Sequence, residues 1–304
     1  MDLASAHYTT RHIPSLERIF QRLAAVTIKK LDRPSRTLGA LRLRGFLVVA
    51  LLLPGAFFAG LFINNLMLLH PVAFLVAIAA LMPIIGQKTG LEQVIEAGQL
   101  LTDKKGQSGD PHHDVRKAGA TAVLDFSLKL VPRTLWWSLG GFALLLPLLL
   151  LNTLMAEAEK RRSGYAESPF FITAAFLNEF AVAPLSFLAA LLLALAHFFL
   201  PGTNLGVFKA FHPDMIYGPV SRFFPLNVIA VGLGLSVEAE IGERTGSRKL
   251  SDKDILWIGP EDGRAKFTNA DLKKIWHISL IAFAFYLVVA AMIFSLLLLN
   301  IAAE

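Results

Sequence analysis

Long apolar runs separated by polar stretches dominate this chain. Five of them approach the ~20 residues with which a helix crosses a hydrocarbon core about 30 Å thick. The five runs are Gly45 to Ile63, Leu66 to Ile85, Leu135 to Leu154, Phe180 to Leu200 and Trp276 to Leu299. Asn64-Asn65 predicts a tight turn that makes the first two runs an antiparallel hairpin. The pattern predicts an all-α, polytopic membrane protein with about five transmembrane helices.

Ahead of the first run, the segment from Ile13 to Leu31 has apolar residues at helical spacing with basic residues between them. Leu16, Phe20 and Leu23 lie on its apolar side. One interpretation is an amphipathic helix in the headgroup plane with this side facing the membrane. A helix packed on the rest of the protein fits the pattern equally well.

The third run opens with Trp136 and Trp137. Indole rings prefer the border between hydrocarbon and water. Both tryptophans are therefore predicted to lie at the membrane interface, together with Leu16, Phe20 and Leu23.

The polar regions also have predicted structure. Residues 86–134 predict a cytoplasmic helical hairpin, with Leu91 to Leu101 on one helix and Val115 to Val131 on the other. Residues 201–275 are rich in loops, but the apolar stretch Phe223 to Ile241 predicts a weak sixth span or a re-entrant segment. Glutamates at its end favour a return to the same side. The predicted regions are a basic segment (1–44), a transmembrane hairpin (45–85), a helical hairpin (86–134), two spans (135–200), a loop region (201–275) and a last span (276–304).

Composition supports a membrane protein. Of 304 residues, 55% are hydrophobic and 17% are charged, and the mean hydropathy is +0.56. Soluble domains usually carry roughly 25% charged residues. The chain contains no cysteine, which excludes disulfides, cysteine-ligated metal sites and a thiol nucleophile.

The 29 basic residues predict the orientation. Residues 1–44, 86–134 and 201–275 hold all but three of them. Five spans place these three stretches on one side, which is cytoplasmic by the positive-inside rule. The sequence therefore predicts a bacterial cytoplasmic (inner) membrane protein with its amino terminus inside. The net charge of +6 fits anionic headgroups of the lipid bilayer rather than nucleic acid, because no nucleic-acid-binding motif accompanies it.

Metal-capable side chains are dense only in Asp110-Pro-His112-His113-Asp114. The cluster lacks a regular ligand spacing and follows a Gly/Ser-rich stretch, so a solvated loop tip is the favoured interpretation. His197 lies within the fourth run, where an interhelical hydrogen bond is expected. No phosphate-binding loop, nucleophile elbow or zinc-protease motif is present. The sequence predicts no cofactor and no metal site.

Several short motifs carry a family resemblance. They are His12-Ile13-Pro14-Ser15, Asp32-Arg33-Pro34-Ser35-Arg36, Arg42-Leu43-Arg44-Gly45, Gly140-Gly141, Asn152-Thr153-Leu154, Ala183-Pro184-Leu185, Trp257-Ile258-Gly259 and Phe267 to Leu272. In this order the chain resembles the CobD/CbiB family nearly end to end. The resemblance implies a membrane-bound adenosylcobinamide-phosphate synthase of cobalamin biosynthesis. Such an enzyme joins adenosylcobyric acid to an aminopropanol derivative with ATP and a divalent metal.

The chain departs from that family where the family carries acids. The stretch that matches the family's E-N-x-x-D-G runs from Ser127 to Arg133 without either acid, and Met155 replaces the acid after Asn152-Thr153-Leu154. Such a ligation needs metal-held carboxylates to neutralise phosphate charge. The sequence therefore favours a diverged, non-catalytic scaffold or accessory subunit, bound to another membrane protein or to itself.

Two alternatives are weighed against the scaffold. A working synthase with relocated active-site groups stays open, and no catalytic residue is assigned to it. A transporter is disfavoured, because the apolar runs hold almost no ionisable residues and no duplicated halves.

Overall fold

The computed structural model describes residues 16–33, 36–70, 72, 75, 111–160, 169–212, 219–239 and 256–303. Its helices are α1 (Leu16–Leu31), α2 (Leu38–Leu69), α3 (Pro111–Leu124), α4 (Val131–Gly140), α5 (Phe142–Lys160), α6 (Ile172–His197), α7 (Val220–Leu233) and α8 (Asn269–Ala303). A π-helical segment, Asp125–Leu130, joins α3 to α4, and a 3-10 segment, Leu205–Phe211, precedes α7. Strands β1 (Val237–Ala239) and β2 (Leu256–Ile258) form an antiparallel ribbon. The predicted helical chain is confirmed, and the ribbon is its one departure from all-α within the described residues.

Three described helices are long and apolar enough to cross a membrane. They are Leu38–Leu69, Ile172–His197 and the part Asn269–Met292 of α8. Two shorter apolar helices are Phe142–Ala158 and Val220–Leu233. The predicted helical character and the presence of helices able to span a membrane are therefore confirmed, and the number of five spans stays a prediction.

Contacts divide the chain into two compact units. Unit 1 contains residues 1–86, 136–180 and 242–249, and unit 2 contains residues 87–135, 181–241 and 250–304.

In unit 1, α2 runs through the predicted turn at Asn64-Asn65, so that turn is wrong. Thr37 caps its start by accepting a hydrogen bond from the Ala40 amide. The helix ends at Leu69, because His70 precedes a proline and is extended. The predicted second span, Leu66 to Ile85, therefore begins inside α2, and most of it lies outside the described residues.

The buried stripe of α2 packs in unit 1 through small residues. A Cβ placed on Gly45 would lie 1.8 Å from the carbonyl oxygen of Phe170, and one on Gly60 would lie 2.2 Å from that of Phe142. These backbones can approach so closely only because neither residue has a side chain, as in many membrane helix pairs.

The predicted third span, Leu135 to Leu154, is not one helix. The chain breaks at Gly141, whose φ of 60° is left-handed, and this break separates α4 from α5. Glycine adopts such a conformation without the steric cost that a Cβ brings. The fourth predicted span starts earlier than expected, at Ile172, while the fifth lies within α8 as predicted.

In unit 2, the described part of the apolar stretch Phe223 to Ile241 ends at Ala239 and forms most of a buried helix and a strand. Its 14-residue helix α7 rises about 21 Å, which is short of a ~30 Å core. All residues from Phe223 to Gly232 are buried, and Gly234 turns the chain in a left-handed conformation towards β1. The weak sixth span, one of the two alternatives, is therefore not present as a membrane-crossing helix, because α7 is too short. The re-entrant alternative stays a prediction.

The structure describes only the second half of the predicted hairpin of residues 86–134. Its predicted helix Val115 to Val131 is present as α3, the π-helical segment and the start of α4. The other helix, Leu91 to Leu101, lies outside the described residues.

Candidate functional site

Helix α1 carries the predicted membrane-interface residues of unit 1. Ala24 and Ile28 are fully buried in a core cluster that includes Leu154 and Met155 of α5, and Phe20 packs against it. Leu23, in contrast, is 41% exposed. Leu16 starts the helix, and its side chain lies outside the described part of the structure. The packed-helix alternative is therefore correct for one face, and a second apolar face stays exposed.

The two predicted interface tryptophans lie in α4. Both are half-buried, and Trp137 packs against the same core cluster of unit 1. The Trp137 carbonyl accepts a hydrogen bond from the Gly141 amide at 2.6 Å. The Trp137 side chain therefore contributes to the core of unit 1, and its backbone carbonyl helps to close the last turn of α4.

Asn64 joins the broken helix pair α4 and α5 within unit 1. Its Nδ2 donates to the Gly140 carbonyl at 3.0 Å, and its Oδ1 accepts from the Phe142 amide at 2.9 Å. One side chain therefore satisfies the last turn of one helix and the first of the next, groups that lack partners inside their own helices. Sequence reasoning placed this asparagine in a turn and missed the cap.

The metal-capable cluster does not form a loop tip. Pro111 to Asp114 are the first turn of α3, and Asp110 lies outside the described residues. The loop was wrong because proline at a first helical position costs no hydrogen bond and is pre-set for the helix. Among the described residues, no group of three or more His, Asp or Glu side chains is arranged to hold a metal ion.

The stretch from Ser127 to Arg133, where the resemblance calls for acidic residues, begins in the π-helical segment. Ser127 is fully buried and its hydroxyl donates to the Val123 carbonyl at 2.9 Å, and Arg133 is buried as well. In unit 1, Met155 is 3% exposed within the apolar core cluster. These positions are filled with packed side chains.

Asp125 is a buried acid that sequence reasoning missed. It lies two residues before Ser127, and its Oδ1 is 2.5 Å from the Lys129 ammonium, one helical turn later. Its Oδ2 is buried and has no hydrogen-bond partner in the described part of the chain. π-helical segments are frequent at functional sites, and an acid four residues before a lysine in an apolar stretch was the available signal.

Two arginines of unit 2 form contacts with β2, with the stretch that follows it and with the start of α8. Arg116 of α3 lies 5.2 Å from the centre of the Trp257 ring and donates to the Ala265 carbonyl at 3.1 Å. Arg264 donates to Asp271 Oδ1 at 3.2 Å. Asp271 also accepts from the amide and hydroxyl of Thr268, while its own amide donates back to that hydroxyl. This reciprocal capping box starts α8.

His197 ends α6 and is fully buried. Its Nδ1 lies 2.7 Å from the Leu193 carbonyl, which can only accept, so Nδ1 donates and Nε2 carries the lone pair. The expected interhelical hydrogen bond is therefore wrong, because the bond stays within α6. Nε2 faces α7, where a Cβ on Gly232 would lie 2.1 Å from it.

No protein-family model, curated protein or solved structure matches this chain. Its function is therefore inferred from the motifs and from the geometry of the described residues.

Proposed function

We propose that this chain is a CobD/CbiB-like integral membrane protein without synthase activity, and that it serves as a scaffold or accessory subunit of a membrane complex. One observation carries the proposal. Where the resemblance calls for acids, Ser127 and Met155 are buried and packed, so they present no charge that could hold metal or an amine. The long apolar helices suit an anchor for such a complex.

The proposed setting is a bacterial cytoplasmic membrane with the amino terminus inside, in line with the asymmetry of basic residues. The proposed partner is another membrane protein or a second copy of this chain. Large apolar side chains such as Leu51, Phe58 and Phe62 stay exposed along α2. They suit contact with lipid or with a partner helix.

A working synthase is the second candidate, and Asp125 favours it. A buried carboxylate with one unpartnered oxygen is costly, and a catalytic role or a bound ion is one explanation for such a group. In this alternative, Asp125 replaces the missing acids of the neighbouring stretch. Its ion pair with Lys129 is a structural role that would equally explain its burial.

Complementation distinguishes the two functions. The chain is expressed in a strain that lacks its own synthase and is supplied with cobyric acid, beside a working synthase as positive control. We expect no cobalamin-dependent growth, although the protein is present in the membrane, and stable co-purification with itself or another membrane protein from mild detergent. Restored growth would refute the scaffold, and its loss in Asp125→Asn would then assign Asp125 to the active site.

A further inference from the structure

Helix α1 has two separate apolar faces in unit 1. The first face, Phe20, Ala24 and Ile28, packs on α5. The second face is a stripe of three apolar residues, Ile19, Leu23 and Val26, which are spaced four and three residues apart along the helix. Their side chains are 51%, 41% and 55% exposed, respectively. At 100° per residue, the two faces lie about a third of a turn apart. The packed face therefore cannot account for the second stripe.

A basic stripe borders the exposed apolar one. Arg18, Arg22 and Lys29 are all exposed, and their spacings of four and seven residues align them along the helix. This basic stripe lies about a quarter turn from the apolar stripe, on the side away from α5. Lys30 is also exposed and lies in the direction of the apolar stripe, at its carboxyl-terminal end. Exposed apolar and basic residues thus form one continuous surface.

The position of α1 in unit 1 brings this surface to the edge of a membrane. α1 ends at Leu31, only seven residues before α2 begins, and α2 is long and apolar enough to cross the bilayer. The guanidinium of Arg44 in α2 donates to the Leu31 carbonyl at 3.4 Å, so the end of α1 is held beside the first turns of that span.

We propose that α1 binds an anionic phospholipid monolayer while its other face stays packed on α5. Ile19, Leu23 and Val26 enter the boundary between headgroups and acyl chains, as apolar faces of interfacial helices do. Arg18, Arg22 and Lys29 pair with lipid phosphates, which attract basic side chains close to the surface. This surface differs from the sequence prediction, because Phe20 faces protein rather than lipid. It does not depend on whether the chain has synthase activity.

The chain has no cysteine, so single labels test this surface in the full-length protein. A fluorophore is attached to Val26→Cys or, as a water-facing reference outside the proposed surface, to Glu261→Cys in an exposed turn of unit 2. Each protein is placed in vesicles of phosphatidylcholine alone or with phosphatidylglycerol added. Quenching by brominated acyl chains is compared with quenching by iodide. We expect the Val26 label to be quenched by bromolipid in the anionic vesicles and the Glu261 label by iodide.

Charge removal then tests the basic stripe. In the Val26→Cys background, the triple variant Arg18→Gln, Arg22→Gln, Lys29→Gln should lower the ratio of bound to unbound α1 about fivefold per charge. A matched triple variant, Lys209→Gln, Lys266→Gln, Lys273→Gln, removes three exposed charges of unit 2 and should leave it unchanged. In the Val26→Cys protein without these substitutions, a higher salt concentration should also lower the ratio of bound to unbound α1, because salt screens the attraction between basic side chains and lipid phosphates.

Three results would overturn the proposal. The first is equal iodide quenching of the Val26 and Glu261 labels in anionic vesicles, which would show that water reaches the apolar stripe. The second is protection of the Val26 label from both quenchers, which would show that protein covers the stripe. The third is bromolipid quenching that is independent of anionic lipid, charge and salt.

Discussion

Replacing Asn64 should destabilise unit 1, because its side chain is the only one shown to bridge the α4–α5 break among the described residues. Asn64→Ala removes the hydrogen bonds to the Gly140 carbonyl and the Phe142 amide. Phe142 is 2% exposed, so water cannot readily replace the lost acceptor. A buried group left without a partner costs about 1–3 kcal/mol. We expect a loss of about 2–4 kcal/mol in the free energy of unfolding.

The neighbouring asparagine is the matched control. Asn65 lies in the same helix and is exposed, so Asn65→Ala has the same composition and the same change in helix propensity. Its effect should stay within about 0.5 kcal/mol. Asn64→Asp should be intermediate in effect, because it can still accept from the Phe142 amide but can no longer donate to Gly140.

Equilibrium unfolding in mixed micelles measures these differences, and hydrogen exchange locates them. Amide exchange should accelerate around residues 140–145 in Asn64→Ala and stay unchanged in Asn65→Ala. If the two alanine variants unfold with the same free energy and exchange alike, the bridging role of Asn64 is refuted.

Two further predictions concern unit 2 and the topology. Gly232→Ala should destabilise by about 1–3 kcal/mol through overpacking, because its Cβ would lie 2.1 Å from His197 Nε2; Gly55→Ala, in open space within α2, should not destabilise. Adding His197→Ala should relieve the clash, and strictly additive unfolding free energies in that double variant would contradict the contact. The five-span prediction places Ser108 in the cytoplasm and Ser163 outside. Within unit 1, however, Gly45 at the start of α2 meets Phe170, and α1 packs on Met155. We therefore expect a reporter at Ser163 on the side of the amino terminus, and opposite compartments for Ser108 and Ser163 would refute this expectation in favour of five spans.

Much of the helical architecture could be predicted from periodicity and length. The last apolar run lies within α8, and the segment of α1 has the expected helix. The Asn64-Asn65 turn failed because local turn preference was overruled by partners 76 and 78 residues away in sequence. In the third run, the Gly140-Gly141 pair was a local turn signal, but the length and hydropathy of the run favoured one continuous helix.

Apolar composition also cannot tell a lipid environment from a protein one. α7 and α2 are both strongly apolar, yet α7 is buried almost throughout while α2 exposes many large side chains. Length separates them, since only α2 can cross a hydrocarbon core. The same ambiguity affected α1, where Phe20 and Leu23 share an apolar pattern but have different surroundings.

The residues that carry the family resemblance have structural roles where the structure describes them. Gly141 breaks a helix, Trp257 receives the Arg116 guanidinium, and Asp271 caps α8. Such residues preserve a fold, and a fold can persist while its chemistry changes. The proposed scaffold is consistent with these roles. Residues that carry the resemblance would build the framework, while Ser127 and Met155 stand where the resemblance calls for acids. An experiment on Asp125 can test this separation of fold from chemistry. Asp125 is a buried acid next to the stretch that lacks the expected acids. One of its carboxylate oxygens pairs with Lys129, and the other has no hydrogen-bond partner in the described part of the chain.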